Sequence, residues 1–159
     1  MFEGSGRLKD EASVWIFGFK QDASEEQGAS MLNAARGFLQ SWRAHGVALS
    51  AAAELRYDRF LIVGAEDPSG CSIDKLYRFV DEAARAVGLS LEQESAIFYR
   101  SAGGAICSAS RKEFENIARS AAVSKETIVF NNGVRCVGEL DGGAWELPYE
   151  RSWHATYFG

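Results

Sequence analysis

The chain has 159 residues and a formal net charge of −5, with 47% apolar and 25% charged residues. That balance fits one soluble domain large enough to bury most of its unfolded surface. Its 17 Lys and Arg are scattered rather than clustered, which argues against nucleic acid as a partner, and no apolar run approaches a membrane span or the core of a signal peptide.

Residues 1–13 read as a flexible leader. The first strand is Val14-Trp15-Ile16-Phe17-Gly18-Phe19, rich in β-branched and aromatic residues. Ser24 and Gln27 make a capping box for a helix whose stripe runs Met31, Ala35, Phe38, Trp42, with Gly46 as the residue that ends it. Ala53–Tyr57 and Phe60–Gly64 predict an antiparallel pair joined tightly at Asp58-Arg59. A second helix carries Ile73, Leu76, Val80, Ala83 and Val87 on one face and closes at Gly88. A fourth strand follows at Ala96–Arg100.

The order β-α-β-β-α-β over residues 14–101 is that of a ferredoxin-like α+β sandwich, two helices on one face of an antiparallel sheet. Residues 102–159 read as a smaller hairpin-and-helix extension packed on that core. Gly103-Gly104 turns the chain, Ser110 and Glu113 cap a short helix bearing Phe114, Ile117, Ala118 and Ala121, and Thr127–Phe130 runs into Asn132-Gly133, a strong hairpin signal with Val134–Leu140 as the return arm. The aromatic tail Trp153–Phe158 docks on the core or on a second subunit.

Chemistry concentrates at Ser69-Gly70-Cys71-Ser72-Ile73-Asp74, where a helix start coincides with a thiol. Unpaired amides and a partial positive charge there suit a thiolate or an anion. The topology brings the end of the first helix to this mouth, so Cys71, His45 and Asp74 form a candidate nucleophile, base and orienting carboxylate. Ser69, Gly70, Ser72 and Lys75 are the matching candidates for binding a small anion or acidic metabolite.

Each residue also has a structural explanation. Cys71 can be a small buried hydrophobe, His45 a cap for the last helical carbonyls, Asp74 a dipole partner, and Ser69 or Ser72 the N-cap. His154 becomes a second base or a metal ligand only if the tail folds back to His45. Three widely spaced cysteines (Cys71, Cys107, Cys136) are an odd number without zinc-site spacing. They point to a reduced, cytoplasmic protein, and no metal or cofactor is implied. No P-loop, dinucleotide fingerprint, H-E-x-x-H or G-x-S-x-G is present.

Ser41-Trp42…His45-Gly46, the Ser69–Asp74 turn, Thr127-Ile128-Val129-Phe130-Asn131-Asn132 and Ser152-Trp153-His154 together resemble an uncharacterised family of short stand-alone bacterial proteins, of the kind found in Bacteroidetes and green sulfur bacteria. Its members often carry the label "ABC transporter ATPase". Without a P-loop that label finds no support in this chain, and the resemblance brings no catalytic residue with it. The expectation is a binding or interaction module for a small molecule or a protein, with open sheet edges favouring a homodimer. The alternative is a cysteine-dependent enzyme or thiol switch at Cys71.

Overall fold

The computed structural model describes residues 1–120 and 122–158, with side chains up to Thr156. Two antiparallel sheets stack face to face, and helices cover both outer sides. The first sheet has the order β1-β5-β4, from β1 (Ser13–Gly18), β4 (Ala51–Arg56) and β5 (Phe60–Ala65). Alternation along these strands divides the core. Trp15, Phe17, Leu61 and Val63 face α1 (Glu25–Ser41) and α2 (Gly70–Ala86), while Val14, Ile16, Phe60 and Ile62 face the second sheet. Both helices begin with reciprocal caps, Ser24 with Gln27 as its sequence predicts, and Ser69 with Ser72, where the sequence offers either serine as the N-cap.

The second sheet has the order β7-β6-β8-β9, from β6 (Ile97–Arg100), β7 (Ile106–Ala109), β8 (Ile128–Phe130) and β9 (Glu146–Pro148). Phe98 and Phe130 point inward, where Phe60, Phe98, Phe130 and Trp145 form an aromatic cluster between the sheets, Phe60 meeting Phe98 and Trp145 edge to face. Ile97 and Val129 point outward against α3 (Arg111–Arg119), with Phe114 and Tyr149. Ser110 caps α3 from one side only, accepting the Glu113 amide. Ala121, expected on the buried stripe of this helix, lies outside the described residues.

The α+β class and the placement of α1 and α2 on one face of the first sheet stand, but several finer expectations change. The strand at 97–100 pairs with β7 and β8 instead of completing the first sheet. Of the stretch before it, only Leu91 and Glu92 touch the end of β1, Leu91 bridging Phe19 and the Glu92 amide donating to the Gly18 carbonyl. The next four residues, Glu92-Gln93-Glu94-Ser95, are polar and leave the sheet line before Ile97 restores an apolar alternation. The structural seam therefore falls before Ile97 rather than after residue 101.

Val134–Leu140 is no hairpin arm. Val134, Val137 and Leu140 are buried at a spacing of three, a helical period, and α4 (Val137–Asp141) forms there. Gly133 is not left-handed; its amide is held by the Asn131 side chain. Residues 1–13 are not a free leader, since Phe2, Leu8 and Ala12 are buried in the inter-sheet core and the Phe2 amide donates to Asp141.

Candidate functional site

At the start of α2 the structure accounts for most of the polar groups. Ser69 Oγ accepts the Ser72 amide, Ser72 Oγ accepts the Ser69 amide, and the Ser72 hydroxyl also reaches the Ser69 carbonyl at 2.7 Å. Only the Gly70 and Cys71 amides of this first turn are left without a protein acceptor among the described residues. Cys71, Asp74 and Lys75 are exposed, whereas Ser72 is buried.

The predicted meeting of helix ends does occur, through Trp42 rather than His45. The Trp42 indole donates to the Ser72 carbonyl at 2.8 Å in a buried contact, and its ring lies edge-on to Trp15. α1 ends at Trp42, not Gly46. His45 and Gly46 instead form the two-residue loop between β2 (Arg43–Ala44) and β3 (Val47–Ala48), with φ of 51° and 79°. Two consecutive positive φ values are what a type I′ hairpin loop demands. His45 thus caps no helix. It is exposed at the tip, and no hydrogen bond or ion pair joins His45, Cys71 and Asp74 to one another.

A cleft of about 950 Å³ runs along the outer edge of β1. Val14–Gly18 form its floor. Ile73, Tyr77 and Asp81 of α2 make one wall, and Ala96, Phe98 and Phe130 the other. The ends differ in charge. Arg135 sits at the Val14 end, its carbonyl accepting the Val14 amide. Glu92 and Glu94 sit at the Gly18 end, where the Glu92 amide donates to the Gly18 carbonyl and Glu94 accepts the Tyr77 hydroxyl. Tyr77 packs edge-on to Phe17, which places Asp81, one turn further along α2, at this acidic end too.

His154, Trp153 and Arg111 also line the cleft. The tail docks here against α3, so His154 does not join His45. The side chains of Tyr157 and Phe158 lie outside the described residues. His154 is 1% exposed, stacks on Trp153 and lies 2.5 Å through Nδ1 from Ser152 Oγ. Burial, and secondarily the Arg111 charge, lower its pKa to about 4, so the ring is neutral near pH 7. Among the described residues no three His, Cys, Asp or Glu side chains converge as a metal site.

Nothing local in the sequence marks this cleft, because its floor and walls come from β1, α2, the 91–96 connection and the second sheet. The polar run Glu92–Ser95 is the one usable signal, as it interrupts the fourth strand. Arg59 is likewise unmarked, although it is the most heavily bonded buried side chain nearby: its guanidinium donates to the carbonyls of Phe19, Lys20 and Ile106. No helix among the described residues is long and apolar enough to cross a membrane. No protein-family model, curated protein or solved structure matches the chain.

Proposed function

We propose that this protein is a binding module whose ligand occupies the cleft beside β1. The observation that carries the reading is a concave site of mixed apolar and polar lining built on two sheets and α2, with opposite charges at its two ends. Concave clefts that bring apolar side chains together with placed polar groups are where ligands are held. The α2 start supports it less well as a ligand site, since its serines cap each other. The first half of the chain reads as a ferredoxin-like unit whose fourth-strand position, beside β1, is left open as this cleft.

Titration with small aromatic acids such as phenylpropionate, followed by amide NMR, tests the reading. Shifts concentrated at residues 14–18, 73–81 and 96–98 support it. Shifts confined to residues 69–75 would instead restore the helix start as the anion site.

A thiol function at Cys71 is the second reading, favoured by one fact: Cys71 is exposed on the first turn of α2 while Cys107 and Cys136 are half-buried. Mass spectrometry after brief alkylation of the folded protein should find Cys71 modified first. Equal or slower modification than at the other two thiols removes it.

A further inference from the structure

β1 is an edge strand, and the bonds that close its two ends define what fits between them. At one end the Val14 amide donates to the Arg135 carbonyl and the Val137 amide to Ala12. At the other, the Glu92 amide donates to Gly18 and the Lys20 amide to Ser90. Both bridges, Ser13 with Cys136 and Phe19 with Leu91, are antiparallel. Backbone groups alternate sides along a strand, so these bonds identify residues 14, 16 and 18 as the outward set. The Ile16 amide and carbonyl, the Val14 carbonyl and the Gly18 amide have no strand beside them among the described residues. They line the cleft floor over about 13 Å, at about 3.3 Å per residue. Unpaired groups in a row are a template for another strand.

Resting on the cleft as the ligand site, we infer that its occupant is an extended peptide from another protein, added antiparallel to β1. Its centre is apolar, with a basic residue at its start and a carboxylate, from an acidic side chain or the chain terminus, at its end. The direction follows from charge. An antiparallel guest starts at the Gly18 end, beside Asp81, Glu92 and Glu94, and finishes at Arg135, whose amide donates to Glu139 and whose guanidinium has no ion pair among the described residues. Among the described residues only Asp81 of the three acids is ion-paired, with Arg85 on the surface, while Glu92 accepts the Ser108 hydroxyl and Glu94 the Tyr77 hydroxyl.

The guest's side chains follow from strand alternation. A residue opposite Ile16 faces Ala96 and Phe98, and its neighbours face Ile73 and Tyr77, so about three central positions are apolar. A second copy of this chain cannot supply the strand through its own β1. That edge lies on the floor of the same cleft, between α2 and the second sheet.

The test is selection of random octapeptides displayed with free C-termini on the full-length protein, then synthesis of the enriched sequences. Enriched peptides should carry a basic residue three to five positions before a terminal or near-terminal carboxylate. Bound peptide should slow exchange of the Ile16 amide at least tenfold. Arg135→Glu, a change at an exposed side chain, should weaken such peptides about tenfold and favour versions ending in Lys.

Peptides that bind without protecting Ile16, or without preference for charge order, overturn the proposal. If phenylpropionate still shifts the cleft residues while no peptide is enriched, the strand proposal falls and the cleft reading survives. If neither probe perturbs the cleft, both fall.

Discussion

Arg59→Met removes the clasp that ties the end of β1 to the second sheet. Arg59 is 5% exposed. Its donors reach Phe19 O at 2.6 Å, Lys20 O at 2.9 Å and Ile106 O at 2.7 Å, and the guanidinium lies over the Phe98 ring. Hydrogen bonds from a charged donor contribute about 1.5 kcal/mol or more each. Taking away the donors leaves three carbonyls unsatisfied but also relieves the cost of burying a cation. With about 1–3 kcal/mol for each carbonyl left unsatisfied, less the relieved burial of the cation, the net loss is about 3 kcal/mol. The salt bridge to Asp22 is a minor part, because that carboxylate is 67% exposed at 3.3 Å, and such pairs contribute about 1 kcal/mol or less. Urea unfolding should show Arg59→Met with a much lower midpoint and an unchanged slope, while Asp22→Ala stays within about 1 kcal/mol of the parent. An Arg59→Met loss below about 1 kcal/mol, or equal losses for both variants, would refute the assignment of the clasp to the carbonyls.

Two glycine substitutions should have opposite signs. A Cβ on Gly18 would enter the Phe98 ring, whereas one on Gly37, in the C-terminal half of α1, meets nothing within 4 Å. Gly18→Ala should therefore cost about 1–3 kcal/mol and Gly37→Ala should gain about 0.5–1 kcal/mol, both read from thermal unfolding. Ser69→Ala, which opens the cap of α2, should cost about 1 kcal/mol by the same measurement. His154 supplies a pH signature. Its folded pKa of about 4 lies below the unfolded value of 6.5, so the unfolded chain takes up the proton first as pH falls. Stability is full above pH 6.5 and is lost between there and about pH 4, by roughly 3 kcal/mol at most. His154→Gln should remove that part of the slope between pH 6.5 and 5, and an unchanged slope would show that the ring is not held neutral.

Local order along the chain was readable where local chemistry decides it. The reciprocal cap at Ser24, a serine N-cap for α2, the stripe Leu76–Val80 and the glycine at 88 each follow from short-range hydrogen bonding and helical spacing. Long-range choices were not. Whether Ile97–Arg100 joins β1 or β8 depends on competition between two sheet edges, and residues 92–95 decide it only once the alternative partner exists. Asn132-Gly133 carries a strong hairpin signal, yet burial of Val134, Val137 and Leu140 between the sheets outweighs it. His45 and Cys71 were placed at one end of the first sheet by topology. A two-residue hairpin loop, which His-Gly satisfies, then turned the imidazole to solvent.

Amide hydrogen exchange along β1 in the free protein tests the open edge most directly. Trp15 and Phe17 pair with Val63 and Leu61 of β5, and the Val14 amide is bonded to Arg135, so these three should exchange slowly. Ile16 and Gly18, whose amides face the cleft, should exchange much faster. Ile16 protected as strongly as Phe17 would mean that the edge is already closed, and the cleft would not be a place for a strand to bind.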